Sequence, residues 1–347
     1  MTADLRWFHG YPYALGRPVC RARLRAQPDD FRVDELLDIA LTGEGEHVWL
    51  QIEKTSLNTR DVADALGRFA GINPAQIGYS GLKDKHAVCT QWFSVPVPVL
   101  TQIDFNPFSK TGCRVLHQQR HNRKLRQGTH RENRFSIRLR DVQGHAEVME
   151  SRLQCIREQG VPNAFGEQRF GFARQNITRM LDWSRHGGRR PGRHVFGLWL
   201  SAARSFLFNE ILFRRVLDNT WCLPLPGDVM MLAGSHSVFV PDAVDELLLQ
   251  RVREHDLHVS APLWGDGHLV SQGPVAQLEA AALKPYDELV QFIARQRVAM
   301  HRRALRVCVP DLAWTWETNS TLRLDFTLPS GCFATAVLRE CCLTLES

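Results

Sequence analysis

Two kinds of apolar periodicity divide this chain, and their placement restricts its fold more than any other feature. Phe31-Arg-Val-Asp-Glu-Leu, His47-Val-Trp-Leu-Gln-Ile and Phe135-Ser-Ile-Arg-Leu-Arg carry apolar residues at every second position, the signature of strands with one buried face. Ile77-Gly-Tyr-Ser and Val88–Val95 read as further strands around a polar loop at Gly81–His86. Asn58 caps a helix over 59–70 striped by Val62, Ala65, Leu66 and Phe69. The middle of the chain changes period. A helix over about 147–159 stops at Gly160 before Val161-Pro162. Ser201 is expected to cap an apolar helix containing Phe206, Leu207, Ile211 and Leu212, and Ala243–Glu254 and Tyr286–Leu305 also read as helices. Strand patterning then returns at Thr321-Leu-Arg-Leu-Asp-Phe. Strand-rich ends around a helix-rich middle imply an insertion within a first domain, and 347 residues suffice for two cores.

Composition excludes several classes. With 44% hydrophobic and 23% charged residues the chain is expected to be a soluble folded protein. It has no run near the roughly 18 apolar residues of a membrane span, and its start lacks the features of an export signal. The nine cysteines are odd in number and contain no C-x-x-C pair, which argues against structural zinc and for reduced thiols in the cytoplasm. His117 and His121 lack an acidic partner nearby and are read as solvated or phosphate-facing. Charge is sorted: residues 114–140 hold nine Arg or Lys and one acid, 179–193 five Arg and one Asp, and 289–306 five Arg and no acid. Three such runs point to a polyanion, and Arg-rich runs suit bidentate phosphate contact.

No phosphate-binding G-x-x-x-x-G-K-[ST], dinucleotide G-x-G-x-x-G or esterase G-x-S-x-G motif is present. Two acidic candidates remain. Asp84 stands in Gly78-Tyr-Ser-Gly-Leu-Lys-Asp-Lys-His-Ala-Val-Cys-Thr-Gln-Trp, flanked by Lys83 and Lys85. Those charges favour its ionised form, which suits a nucleophile or general base. The group Asp29, Asp30, Asp34, Glu35 offers carboxylates for a metal, but Asp34 and Glu35 are neighbours on a strand and point to opposite faces. Phe135 and Phe333 read by pattern as core residues.

Taken together, the motifs resemble the TruD family of tRNA pseudouridine synthases. Gly81-Leu-Lys-Asp-Lys-His-Ala with Gln91-Trp92 carries the likeness. It extends through Pro28-Asp-Asp-Phe with Glu35, Gly43-Glu-Gly-Glu-His, Asn58-Thr-Arg, Lys124-Leu-Arg126 and Asn133-Arg-Phe135. Gly160-Val-Pro-Asn-Ala-Phe-Gly-Glu-Gln-Arg169-Phe-Gly, Ser201-Ala-Ala-Arg-Ser and Phe333-Ala-Thr complete it. Arg25, where the family usually has Lys, Ala164, where an aromatic is common, and Cys89, in place of Thr, depart from the pattern. None of the three is expected to touch the Asp.

The resemblance implies an α+β fold: a discontinuous pseudouridine-synthase catalytic domain over 1–158 and 306–347 with a mainly antiparallel mixed sheet. A family-specific domain would be inserted at 159–305. It implies isomerisation of uridine 13 in the D arm of tRNA with Asp84 as nucleophile or base, without cofactor or metal. Phe135 would stack on the flipped base, Asn133 would help position the base or the loop, and Phe333 would line the pocket. Lys83, Lys85, Glu35, Gln91, Lys124, Arg126 and Arg169 join the expected substrate-binding set, and the Arg runs would hold phosphates. A cytoplasmic monomer with no protein partner and no membrane association is expected. A non-catalytic RNA-binding or chaperone protein and a metal-dependent nuclease are the alternatives.

Overall fold

The computed structural model describes residues 10–108, 112–189 and 191–345. The chain forms two compact units, each built from separated stretches. The sheet unit comprises residues 19–153, 309–331 and 342 onwards; the helical unit comprises the stretch up to residue 18, 154–308 and 332–341.

The sheet unit holds β1 (Arg21–Leu24), β2 (Phe31–Leu36), β3 (His47–Thr55), β4 (Gly78–Tyr79), β5 (Val88–Pro96), β6 (Cys113–His121) and β7 (Glu132–Gln143). Strands Ala313–Thr318, Thr321–Pro329 and Leu343–Leu345 complete a ten-stranded sheet. Its central path runs Ala313–Thr318, Thr321–Pro329, β7, β2, β5, β3, β6. Only β2 with β5 and β1 with Leu343–Leu345 are parallel; the other pairings are antiparallel. The fold is therefore α+β on a mixed, largely antiparallel sheet, as the resemblance implied. Helix Thr59–Ala70 matches the expected range, with Asn58 and Asp61 forming a reciprocal capping box. Its Val62, Ala63 and Leu66 pack on Leu50, Ile52, Phe93 and Val95.

The helical unit is organised around Arg193–Leu217, whose Phe206, Leu207, Phe208, Ile211 and Leu212 pack with Ile177, Met180, Leu289 and Ile293. Here two expectations fail. Ser201 does not cap this helix; the apolar stripe extends back through Leu200 and Phe196, so the helix starts at Arg193. The helix expected over Tyr286–Leu305 covers only Asp287–Ala294, and His301–Ala304 is a strand paired with Ser260–Leu263. That pairing carries Arg302 into an ion pair with Glu279 at 2.8 Å, both side chains buried. Arg306 is also buried, donating to the carbonyl of Val252. The basic run at 289–306 is therefore partly internal scaffolding rather than a phosphate-gripping face.

Candidate active site

Strand register gathers the predicted residues of the sheet unit onto one face. Glu35 lies opposite Asn133, Val33 opposite Phe135, and Phe326 opposite Phe135. Val33 also pairs with Cys89, and Cys89 with Lys54. Because side chains alternate along a strand, all of these project from the same side. The loop from Ser80 to Ala87 crosses this face between β4 and β5.

The loop is held by its backbone. Gln91, fully buried, donates from Nε2 to the carbonyl of Gly81 (2.6 Å) and accepts from Thr59 Oγ1 (3.0 Å). Thr59 Oγ1 accepts from the Lys83 amide at 3.0 Å. Lys54, also fully buried, donates from Nζ to the carbonyls of Asp84 (2.7 Å) and Leu57 (2.8 Å). Burial pushes the Cys89 thiol up, so it stays protonated and faces the Asp84 carbonyl at 3.7 Å. Gly78, just before the loop, approaches the Leu125 carbonyl so closely that a Cβ would lie 2.4 Å from it.

Successive loop side chains then part company. Lys83 turns inward, its side chain 6% exposed, to an ion pair with Glu35 at 2.9 Å that is not an aligned hydrogen bond. Its Nζ also donates to Asn133 Oδ1 at 2.5 Å. Asp84 turns outward, its side chain 26% exposed, and Oδ2 accepts from Arg25 Nη2 at 2.8 Å. The Arg25 guanidinium lies 4.1 Å over the ring of Phe31, which meets Phe135 edge-on at 6.2 Å. Asp84, Arg25, Phe31 and Phe135 thus form one continuous contact chain.

This geometry corrects several expectations. The cation on Asp84 is Arg25, not Lys83 or Lys85; Lys83 is spent on Glu35, and Lys85 is exposed with no ion pair among the described residues. Arg25 and Cys89, two of the departures from the family pattern, both touch Asp84. Glu35 and Gln91 are buried, Glu35 against Lys83 and Gln91 against the Gly81 carbonyl. Phe135 is only 7% exposed and stacks on Phe326 at 5.3 Å, so one of its faces already belongs to the core. Within the acidic group Asp29 pairs with Arg32, Asp30 with Arg140 and Glu35 with Lys83. No cluster of three or more His, Cys, Asp or Glu suited to a metal occurs among the described residues.

Of the run at 114–140, Arg114, Arg120, Arg131, Arg138 and Arg140 are occupied by carboxylates or carbonyls. Arg123, Lys124, Arg126 and Arg134 remain exposed, Lys124 with a long contact from Nζ to the Ala75 carbonyl at 3.4 Å. Arg179, Arg185, Arg189 and Arg193 of the second run are exposed, and Arg190 lies outside the described residues. His117 and His121 sit edge-on to Trp92 and Trp49 on the sheet.

Arg169 and Phe333 belong to the helical unit, where Phe165 is their common neighbour. Phe333 meets the Phe165 ring edge-on at 5.8 Å, and Arg169 and Arg303 stand 5.5 and 4.3 Å over it. Asn209 clamps Phe165 by accepting from its amide (3.0 Å) and donating to its carbonyl (2.9 Å). Arg169 donates to Ser205 Oγ at 3.1 Å and to Ser201 Oγ. Burial, with Arg303 and Arg204 nearby, pushes its guanidinium down. Sequence reasoning missed Arg25, Phe31, Lys54, Thr59, Phe165 and Arg303 as members of these clusters. Lys54 alone carried a local signal, a charge on the buried parity of an alternating strand.

Several known proteins are similar to this chain over nearly its whole length. The family model for tRNA pseudouridine synthase D (TruD) matches residues 10–181 and 192–341. A tRNA pseudouridine synthase D of Methylococcus capsulatus is 42% identical over 97% of this chain and 95% of its own length. That of Nitrosococcus oceani is 42% identical over 100% and 98%, and that of Pseudomonas putida 41% over 95% and 93%. A solved structure from Methanosarcina mazei has the same fold. It superposes with a TM-score of 0.70 at 19% identity over 94% of this chain and 95% of the other. By full-length sequence match and shared fold, the chain belongs to the TruD family of tRNA pseudouridine synthases.

Proposed function

We propose that this chain isomerises uridine 13 in the D arm of tRNA to pseudouridine, with Asp84 as nucleophile or base and without a cofactor. The observation that carries this reading is the Asp84 carboxylate. It projects from a loop whose backbone is fixed by Gln91, Thr59 and Lys54, and Arg25 holds only Oδ2. A preorganised carboxylate of this kind is what either role requires.

The reaction breaks the N1–C1′ bond of uridine, turns the uracil and joins C5 to C1′; the proton leaving C5 is balanced by the one gained at N1. Asp84 can attack C1′ or the ring, or remove a sugar proton. Flipping the nucleotide out costs a few kcal/mol, and aromatic stacking of about 1–3 kcal/mol per base offsets part of it. Phe135, backed by Phe31 and Phe326, supplies that aromatic surface. Asn133 orients the base from the same face, and Glu35, Lys83 and Gln91 hold the arrangement from beneath. Lys85, Lys124 and Arg126, all exposed, serve as phosphate contacts, and Arg169 and Phe333 serve as RNA contacts of the helical unit. The domain over 1–158 and 306–347 carries the chemistry, and the insert at 159–305 contributes to binding. No helix among the described residues is long and apolar enough to cross a membrane. All nine cysteines are free, which supports the cytoplasm as the working compartment, and we read the enzyme as a monomer.

The test is Asp84→Asn, mixed in excess with unmodified tRNA under single-turnover conditions, with pseudouridine mapped by chemical labelling. The variant is expected to keep its fold, to bind tRNA within a few-fold of wild type and to form no pseudouridine at position 13. Substantial product from a preparation free of wild-type enzyme would move the catalytic role to another residue.

A further inference from the structure

We propose that His130 is a positioning residue for the reaction, a neutral imidazole protonated at Nδ1 that fixes the orientation of the Asn133 amide and supports turnover only while Nε2 carries no proton. The proposal rests on the reading of Asn133 and Asp84 given above.

Lys83 sets the polarity of the groups around it. An ammonium has donors and no acceptor, so the Asn133 atom facing Nζ is the carbonyl oxygen, Oδ1. The amide nitrogen then faces the other way, to His130 Nε2 at 3.3 Å. Since Nδ2 can only donate, Nε2 must accept and carries no hydrogen. Ser330 Oγ, 3.1 Å from the same nitrogen, is a hydroxyl that can share that lone pair as a second donor. The imidazole proton therefore sits on Nδ1, which donates to Ser80 Oγ at 2.8 Å. Glu35, Lys83, Asn133, His130 and Ser80 form a chain in which the charge on Lys83 dictates every donor and acceptor.

The ring has little room to change this. His130 is buried, and its Cε1 lies 3.3 Å from where a Cβ on Gly81 would stand. The segments around it are tied down: the Gly128 amide donates to the Ser80 carbonyl (2.7 Å) and the Ser330 amide to the Arg131 carbonyl (2.8 Å). The charged groups facing the ring are Lys83 from the loop and Glu35 from β2; Ser80, Asn133 and Ser330 complete its surroundings without charge. Burial pushes the imidazole below its ordinary value, Lys83 adds to that, and Glu35 opposes it.

A proton added at Nε2 would set donor against donor at Asn133. Turning the amide over would relieve that clash but present its NH2 to the Lys83 ammonium. Either way the Asn133–Lys83 contact is lost, and with it the placement of the group that orients the base. The structure assigns His130 this role through Asn133, without contact to the reacting atoms.

Two measurements test it. In wild-type protein labelled with 15N-histidine, with the His130 signal assigned by its loss in His130→Gln, ring shifts at neutral pH are expected to show the Nδ1–H tautomer. An Nε2–H or doubly protonated ring at neutral pH would overturn the proposal, whatever the variants do. Single-turnover rates with unmodified tRNA give the second readout. Wild type should lose rate on acidification by about tenfold per pH unit below the imidazole's midpoint. Folded His130→Gln, which can still accept from Asn133 but does not titrate, should retain at least a tenth of the neutral rate and lose that acid limb. An unchanged acid limb in His130→Gln would overturn the proposal. If Asp84→Asn still forms product, the assignment of the catalytic residue fails, while the tautomer measurement still decides the chain from Lys83 to Ser80.

Discussion

The buried ion pair of Glu35 and Lys83 gives the most quantitative prediction. The Glu35 side chain is fully buried and that of Lys83 is 6% exposed. Glu35→Ala removes the one carboxylate paired with the ammonium among the described residues and leaves it facing Asn133 Oδ1. Orphaning a buried charge in this way costs about 3–5 kcal/mol, a large share of the roughly 5–15 kcal/mol that holds a protein folded. The pair lies in the sheet unit, and for a unit of about 150–250 residues each kcal/mol moves Tm by about 2–4 °C, so Glu35→Ala should melt about 6–20 °C below wild type. The double variant Glu35→Leu/Lys83→Met removes both charges and should regain most of that loss. It should still form little pseudouridine, because Asn133 has lost the cation that orients it. Calorimetry and urea denaturation followed by tryptophan fluorescence read the stabilities. A Glu35→Ala protein within about 1 kcal/mol of wild type, or a double variant no more stable than the single one, would refute the reasoning from burial.

Arg25→Ala should slow single-turnover pseudouridine formation by about 10- to 150-fold, the value of a charge-assisted hydrogen bond of about 1.5–3 kcal/mol; an unchanged rate would show that Asp84 needs no partner. Phe135→Ala should lose about 3–5 kcal/mol of stability as a core truncation, seen as an earlier urea midpoint, and Phe135→Leu should keep most of the stability with reduced tRNA turnover. Lys124→Ala/Arg126→Ala should lower the log–log salt slope of tRNA binding by about 0.7–0.9 per lost phosphate contact, with similar weakening for different tRNAs. His258 accepts from Arg306 at Nδ1 (3.4 and 3.3 Å), and burial with that guanidinium pushes its imidazole from 6.5 down to about 4. Acidification across that window protonates the unfolded chain first, so stability should fall by about 3 kcal/mol between pH 6.5 and 4, and His258→Gln should flatten the loss.

What the sequence disclosed and what it concealed follow from the range of the interactions. Helix Thr59–Ala70 was legible to the residue because its cap, stripe and stop are all local. The alternation in β2 and β7 fixed which residues of each strand share a face, whereas the register that sets Glu35 opposite Asn133 is seen only in the structure. The partner of Asp84 was not legible: Arg25 lies 59 residues away, whereas Lys83 and Lys85 are its neighbours. In an extended loop those neighbours point away from Asp84, and Lys83 reaches Glu35 instead. The Arg-rich stretch before Leu305 looked helical and solvated because nothing local announces Glu279, whose carboxylate draws Arg302 inside. Register and burial are decided by partners, and partners distant in sequence leave no local mark.

The order of strands in the sheet also sets a timetable for synthesis. β7 is sealed along one edge by Thr321–Pro329, a strand that leaves the ribosome about 180 residues after β7 is complete. At about 5–20 residues per second that edge waits about 10–40 s for its neighbour. An unpaired edge of this length is a template for misassembly unless charge guards it. β7 carries Arg134, Arg138 and Arg140 between its buried positions. In the finished protein Arg138 and Arg140 pair with Glu317 and Asp30. Glu317 emerges as late as the missing strand, so for most of translation Arg138 stands without it. The same basic residues that stud this strand are thus positioned to keep a nascent edge from recruiting another chain.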